Sequence, residues 1–252
     1  MRLLGQTRTL FLSQPELTHV ACTSRSHRES PGLIGFAYPH PRVSGISPSC
    51  GPVVGETQIS VRGTNFTRGS HLLCRFAVAI QNASLSEASV LACVSPPAGN
   101  SALQGALEIS LNGQQFTTDD QMWSYTALPT LSSIYPTAGF SVGGTMVTIS
   151  GSGFSGGCDI RCDFYELLNT NATFDILTGT LRCVAPAGAH MAHTVVEISL
   201  NGQQYSRGRL NYTFFDLPAI ATVYPLSTPI NGGTTLFIHG QGFQDFSQLS
   251  CK

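Results

Sequence analysis

Charge is what this sequence has least of. Lys, Arg, Asp and Glu make up 11% of its 252 residues, against about 25% in an ordinary globular domain, and the formal net charge is −1. No Lys/Arg block occurs, which argues against the basic face on which nucleic-acid binders hold phosphates. No apolar run approaches the roughly 18 residues of a membrane-spanning helix. Amphipathic stretches of normal helical length are also missing, whereas Gly (26) and Pro (14) are plentiful, so turns should be many and helices few. Hydrophobic content of 42% still suffices for packed cores and excludes a disordered chain. At the N-terminus, "MRLLGQTRTLFLSQPEL" offers a basic residue and leucines, but Gln6, Thr7 and Arg8 interrupt the apolar stretch a signal peptide needs. It reads as a poor signal, and the plainer reading is that Met1 is not the natural start of the full protein.

What the sequence does have is repetition. "EISLNGQQF" (Glu108–Phe116) returns as "EISLNGQQY" (Glu197–Tyr205). Upstream, "ISPSCGPVVGETQISVRGTNF" (Ile46–Phe66) aligns with "IYPTAGFSVGGTMVTISGSGF" (Ile134–Phe154): Pro48 meets Pro136, Gly51 meets Gly139, Gly55 meets Gly143, Thr57 meets Thr145, Gly63 meets Gly151 and Phe66 meets Phe154. A third copy, "VYPLSTPINGGTTLFIHGQGF" (Val223–Phe243), keeps Pro225, Gly232, Thr234, Gly240 and Phe243 in register. Cys74, Cys162 and Cys251 correspond, as do Cys93 and Cys183. The period is 88 to 90 residues, and the third copy stops about a third of the way through.

The unit reads as strands. In "TQISVRG" and "TMVTISG", Ile59 and Val61, and again Val147 and Ile149, alternate with polar residues, the period-two pattern of a half-buried strand. Glycines bracket each run as turn punctuation. "ALEISLNGQQF" alternates through Leu107, Ile109 and Leu111, then reaches Asn-Gly, which predicts a type I′ hairpin. The chain should return through Trp123 and Tyr125 in one copy and Tyr212 and Phe214 in the other. Some seven short strands in about 88 residues is the size of an immunoglobulin-like sandwich.

This pattern of glycines, strand alternation, "C-x-x-P" and "V-E-I-S-L-N-G-Q-Q-Y" resembles the IPT/TIG domain, an immunoglobulin-like module of plexin-type and growth-factor-receptor stalks, fibrocystin-like surface proteins, some transcription factors and some starch-acting enzymes. The resemblance covers about Arg42 to Lys252. It implies an all-β chain of tandem immunoglobulin-like β-sandwiches, with domains at 41–128 and 129–217, an incomplete one at 218–252, and an N-terminal segment, 1–40, left from an upstream repeat. "IGFAYPHPRVSGISP" (Ile34–Pro48) is laid out like "YTFFDLPAIATVYP" (Tyr212–Pro225), so Ile34–Pro39 is expected to be the last strand of that upstream repeat. The incomplete third copy cannot close a sandwich and is expected to be poorly ordered or docked on a neighbour.

Eight cysteines carry information on the compartment. Cys74 with Cys93, and Cys162 with Cys183, occupy equivalent places about 20 residues apart, which suits one disulfide per domain. Cys251 and Cys22 are expected to have lost partners beyond the chain. Cys50 and Cys158 have no counterparts, and the spacing does not pair them. The competing reading is eight buried reduced thiols. Sequons stand at Asn65, Asn82, Asn171 and Asn211, more than chance supplies, and glycosylation and secretion follow as expectations.

Several motifs suggest chemistry and fail on context. "GSGFSG" (Gly151–Gly156) fits a dinucleotide loop, but no helix start follows and the other copies lose the third glycine. "GFSVG" and "GFSGG" fit the serine-hydrolase elbow, yet Val53 and Thr67 stand at the corresponding positions. Cys158 and Cys162 with His190 and His193 sketch a zinc set, although Cys162 has the better explanation as a disulfide partner and the histidines read as loop residues. Asp119–Asp120 and Asp159/Asp163 lack the acidic density of a calcium loop. Trp123 reads as a core anchor rather than a sugar platform. No catalytic, cofactor or metal residue is assigned. The reading is a non-enzymatic, extracellular or cell-surface segment that spaces and binds a protein or glycan ligand through loops. A carbohydrate-binding accessory module and the transcription-factor version of the domain are the alternatives. The repeated nonapeptide reads as scaffold, with function expected in the unmatched stretches Ala77–Val90 and Tyr165–Gly179.

Overall fold

The computed structural model describes residues 19–20, 33–34, 38–66, 69–99, 103–164, 168–188 and 192–243. Cys22, Cys251, His190 and most of segment 1–40 lie outside them. Among the described residues every regular element is a β-strand. Strands β1 (His19–Val20) and β2 (Leu33–Ile34) form a short antiparallel pair. Of the expected strand over Ile34–Pro39, residues 35–37 lie outside the described residues.

The first copy supplies β3 (Arg42–Ser47), β4 (Cys50–Pro52), β5 (Gln58–Thr64), β6 (Leu73–Phe76), β7 (Ala79–Glu87), β8 (Val90–Val94), β9 (Gln104–Ser110) and β10 (Gln121–Thr126). Their hydrogen-bonded order is β3-β5-β8-β7-β6-β9-β10-β4. The second copy supplies β11 (Thr130–Tyr135), β12 (Ala138–Phe140), β13 (Met146–Ser152), β14 (Arg161–Phe164), β15 (Asn169–Asp175), β16 (Thr180–Val184), β17 (His193–Ser199) and β18 (Leu210–Phe215). Their order, β11-β13-β16-β15-β14-β17-β18-β12, is the same permutation. β19 (Ala219–Tyr224) and β20 (Phe237–Gln241), from the third copy, form a two-stranded antiparallel sheet whose residues are mostly exposed.

The chain divides into two compact units. One comprises Met1–Ser47, Ser60–Cys93 and Ala106–Gln121; the other comprises Pro48–Ile59, Val94–Gly105 and Met122–Lys252. The second unit therefore holds the second copy and strands β19 and β20 together with three segments of the first: Pro48–Ile59, Val94–Gly105 and the end of β10 from Met122.

Both copies close their sheets with one long strand. In β15, Asn169–Asn171 pair with β14, whereas Ala172–Asp175 pair with β16. In β7 the change falls between Asn82 and Ala83. A strand that changes partners midway turns the corner between two packed layers. Inside the second copy, Val147, Ile149, Phe164, Leu181, Val196, Ile198, Tyr212 and Phe214 are buried together. The Phe164 and Phe214 rings stand 5.5 and 5.1 Å from the Tyr212 ring at steep angles, the edge-to-face geometry that aromatic quadrupoles favour.

The glycine shared by all three copies has a packing reason. Gly63, Gly151 and Gly240 lie opposite Val43, Leu131 and Ile220, where the register of the strand pair shifts. A Cβ on any of them would run into a backbone carbonyl oxygen, that of Arg42, Thr130 or Ala219, and into the phenyl ring three residues on. The bulge brings the two backbones too close for any side chain.

Candidate functional site: the repeated turn and the strand opening it meets

Glu108–Phe116 and Glu197–Tyr205 adopt one conformation. Only the glycines of the Asn-Gly pairs have positive φ, 74° at Gly113 and 73° at Gly202. A type I′ turn needs positive φ at both central residues, so the tight hairpin expected from Asn-Gly does not form. The asparagines act through their side chains instead. Asn112 Oδ1 accepts the amides of Gln114 (3.0 Å) and Gln115 (3.1 Å), and Asn201 Oδ1 accepts those of Gln203 and Gln204 (both 3.1 Å). A side-chain carbonyl thus substitutes for a backbone turn acceptor. The loop closes where Thr117 and Ser206 donate their amides to Ile109 and Ile198 (2.9 and 2.8 Å) and return a hydroxyl acceptor to the same residues. In the second copy the returning strand β18 then pairs antiparallel with β17.

The second-copy turn meets the segment Pro48–Ile59, which belongs to the same compact unit. Gln203 pairs with the main chain of Gln58: its Nε2 donates to the Gln58 carbonyl (2.7 Å) and its Oε1 accepts the Gln58 amide (2.9 Å). Gln204 Nε2 donates to the Glu56 carbonyl (3.0 Å), and its Oε1 accepts the Thr57 hydroxyl (3.1 Å). Asn201 Nδ2 reaches the Thr57 hydroxyl (3.2 Å) and the Cys50 carbonyl (3.5 Å). Beside them, a disulfide joins Cys50 to Cys158 with Cα atoms 5.8 Å apart. Glu56 has φ 66°, a left-handed conformation that glycine supplies at the equivalent Gly144 (86°) and Gly233 (85°). Holding a side-chain-bearing residue there costs about 1–2 kcal/mol, so contacts around Glu56 must hold it in place.

The two copies differ in charge next to this turn. In the first, Arg75 on β6 faces Glu108 on β9, forms an ion pair with it, and lies 4.2 Å over the Phe116 ring. In the second, Asp163 faces Glu197 across β14 and β17, and Tyr205 stands where Phe116 stands. Glu197 is occupied by the amides of Gly208 (3.1 Å) and Arg209 (2.8 Å) and by the Ser206 hydroxyl. Burial, then the Glu197 charge, pushes the Asp163 carboxyl above its ordinary value of 3.8. A carboxyl raised on folding contributes stability that is complete below its unfolded pKa and is lost as pH rises through the folded value. Asp163→Arg is therefore expected to raise the stability of the second sandwich near neutral pH by about 0.2–1 kcal/mol, the worth of an opposite-charge cross-strand pair. Thermal unfolding at pH 4 and pH 7 checks this; an unchanged midpoint at pH 7 would count against it.

A family model for the IPT/TIG domain matches residues 41–125, 129–214 and 218–252, well over half of the chain. The chain belongs to the IPT/TIG domain family. Among curated relatives, Plexin-B2 of Mus musculus is 24% identical over 212 residues, 81% of this chain and 11% of the relative. Plexin-B1 of Homo sapiens is 24% identical over 234 residues, 87% of this chain and 10% of the relative. The chain thus spans about a tenth of the length of these relatives. Among solved structures, the full extracellular region of Plexin A4 superposes with a TM-score of 0.51 at 21% identity, covering 87% of this chain and 19% of that one, a likeness of fold.

In IPT/TIG terms the cysteine positions are structurally clear. Disulfides join Cys74 on β6 to Cys93 on β8 and Cys162 on β14 to Cys183 on β16, with Cα separations of 6.3 and 6.4 Å, each spanning the long strand that changes layers. The four sequon asparagines, Asn65, Asn82, Asn171 and Asn211, are all exposed. Asn82 and Asn171 occupy the same register, opposite Leu73 and Arg161 at the layer change. The Asn65 amide donates to the His40 carbonyl (3.0 Å). His193 is not in a loop: it opens β17 and its Nδ1 meets the Thr213 hydroxyl (2.9 Å). Cys158 and Cys162 are each committed to a different disulfide, so neither offers a thiolate to a metal. Asp159 is held by Arg161 (2.8 Å), and Asp119 accepts the Val43 amide (2.7 Å) and an Arg42 N–H (3.0 Å). Those bonds to Asp119, the Val43 amide first, hold its carboxyl below the usual range.

Comparing one repeat with the next neither pairs Cys50 with Cys158 nor finds the glutamine contacts. Such a comparison matches equivalent positions, whereas this contact joins non-equivalent ones. The available signal was that each copy has one cysteine without a counterpart.

Proposed function

We propose that this chain is a non-enzymatic segment of an extracellular or cell-surface protein, a spacer built of IPT/TIG repeats at 41–128, 129–217 and 218–252 that holds loops out for a protein or glycan ligand. The observation that carries this is the Cys50–Cys158 bridge, which ties a residue of one repeat to the next. With Cys74–Cys93 and Cys162–Cys183 it makes three bonds of a kind that persist in oxidising compartments. Four exposed sequons and the plexin relatives support the same location. Among the described residues, no helix is long and apolar enough to cross a membrane.

The ligand-contacting part is best sought at loops that differ between repeats. Ile176 and Leu177 form the tip between β15 and β16, 82% and 93% exposed, and the Asp175 carboxylate fixes it by accepting the Leu177 amide (3.0 Å). The matching tip of the first repeat, Glu87–Ser89, carries no large apolar side chain.

The test is secretion of the chain from animal cells, followed by intact mass with and without reduction and with and without release of N-glycans. The expected result is three disulfides and glycans on Asn82 and Asn171 at least. Free thiols at Cys74 and Cys93 in secreted material would overturn the reading.

A further inference from the structure

Asn-Gly occurs three times, at Asn112–Gly113, Asn201–Gly202 and Asn231–Gly232. The dipeptide is chemically labile as well as turn-forming. With no Cβ on the following residue, the glycine nitrogen can approach the asparagine side-chain carbonyl carbon and displace its amide. Two of the three asparagines are held against that attack. Asn112 Oδ1 accepts the Gln114 and Gln115 amides and the Ser110 hydroxyl (3.2 Å), and its Nδ2 donates to Gln115 Oε1. The Gly113 amide itself donates to the Ser110 hydroxyl (2.9 Å). Asn201 is 4% exposed. Its Oδ1 accepts the Gln203 and Gln204 amides and the Ser199 hydroxyl (3.2 Å), and its Nδ2 donates to Gln204 Oε1 (2.6 Å) and the Thr57 hydroxyl (3.2 Å).

Asn231 is exposed, and among the described residues no hydrogen bond holds its side chain. The Gly232 amide makes a single turn bond, to the Pro229 carbonyl (3.0 Å). The exposure is not a consequence of where the third copy stops. The same turn recurs in both complete repeats, where the amides of Gly55 and Gly143 donate to Pro52 and Phe140 (both 2.9 Å). Val54 and Val142 take the place of Asn231 there and are 52% and 67% exposed. Val54 keeps that exposure although Gln203 and Gln204 grip Glu56 and Gln58 just beyond it.

We propose that Asn231 is a site of spontaneous deamidation, the one of the three Asn-Gly pairs at which the folded chain is modified with age. The Gly232 nitrogen attacks Asn231 Cγ. A new C–N bond forms, the bond from Cγ to Nδ2 breaks, and Nδ2 leaves as ammonia with the Gly232 amide proton. Water then opens the five-membered imide at either carbonyl and leaves aspartate or isoaspartate at position 231. No reactant besides water is required. Both products place a negative charge in the uncharged turn Pro229–Gly233. In isoaspartate the main chain also gains one carbon between residue 231 and Gly232, which lengthens the loop closed by the bond to Pro229. Each net hydrogen bond that must open before the attack lowers the reactive fraction about fivefold. Asn231 has only the turn bond to open, whereas Asn112 and Asn201 must release several bonds each.

The test needs no variant. The folded wild-type chain is held for weeks at physiological temperature and neutral pH, and a second sample is held in urea with its disulfides reduced. Both are digested at mildly acidic pH, which prevents new deamidation. Peptide mass spectrometry then reads the amide-to-acid exchange at each Asn-Gly, and electron-transfer fragmentation separates isoaspartate from aspartate. In the folded chain, Asn231 is expected to deamidate at least about tenfold faster than Asn112 or Asn201, the effect of two or more additional hydrogen bonds. In the unfolded sample the three sites should agree within about threefold, because the reacting dipeptide is the same and no bracing survives. A folded chain in which Asn231 reacts no faster than the other two overturns the proposal. So does an unfolded sample in which Asn231 keeps its whole lead, since the difference would then come from flanking sequence and not from the fold.

Discussion

Gly151→Ala should destabilise the second sandwich by about 3 kcal/mol, because the added methyl would meet the Thr130 carbonyl and the Phe154 ring where neither can yield. The clash is with backbone, and the strand pair that would have to part, β11 with β13, covers the side of the core holding Val147 and Ile149. Phe154 cannot swing away, since it is itself buried within that core. Gly45→Ala is the internal control: it lies beside the corresponding bulge in the first repeat, a Cβ there meets nothing within 4 Å, and its φ is not left-handed. Urea unfolding followed by circular dichroism, with hydrogen exchange to locate the loosened strands, measures both. Equal midpoints for the two variants would show that the repeated glycine is not kept by close backbone approach.

Trp123→Ala is expected to cost about 3–5 kcal/mol, the usual range for emptying a buried indole site. Trp123 is 2% exposed, and Tyr125 stands edge-on 5.7 Å from it. Gly51 leaves room for the indole: a Cβ there would lie 2.9 Å from Trp123 Cη2. The second repeat repeats the arrangement with Gly139 beneath Tyr212. Trp123→Tyr should therefore lose much less than Trp123→Ala, since a phenol fills the same place one repeat later. Chemical unfolding with tryptophan emission checks the wild type, and circular dichroism the variants. A Trp123→Ala chain of undiminished stability that has lost binding to an immobilised oligosaccharide would return the sugar-platform reading.

Much of the fold was legible because its determinants are local. Alternation in "TQISVRG" and "TMVTISG" needs only the period of a strand, and Val61, Val147 and Ile149 are fully buried where that period places them. The copies at a fixed spacing then announce repeated sandwiches. The Asn-Gly turn misled because the same dipeptide has two uses. Its type I′ preference is a backbone matter, whereas here Asn112 and Asn201 spend their side chains on the glutamine amides and leave positive φ to glycine alone. The histidine at 193 misled because nothing in the local stretch "GAHMAH" separates the end of a loop from the first residue of a strand.

The repeated nonapeptide marks the boundary between what sequence and tertiary structure decide. By itself the sequence determined the all-β class, the sandwich repeat, the buried faces and the equivalent cysteines, since these follow from periodicity and from comparing one copy with the next. Only the tertiary structure decided that Gln203 and Gln204 hold Glu56–Gln58, and that Cys50 bonds to Cys158. The physical reason is distance along the chain: 108 residues separate the two cysteines, and no local preference encodes which surfaces meet after each sandwich has closed.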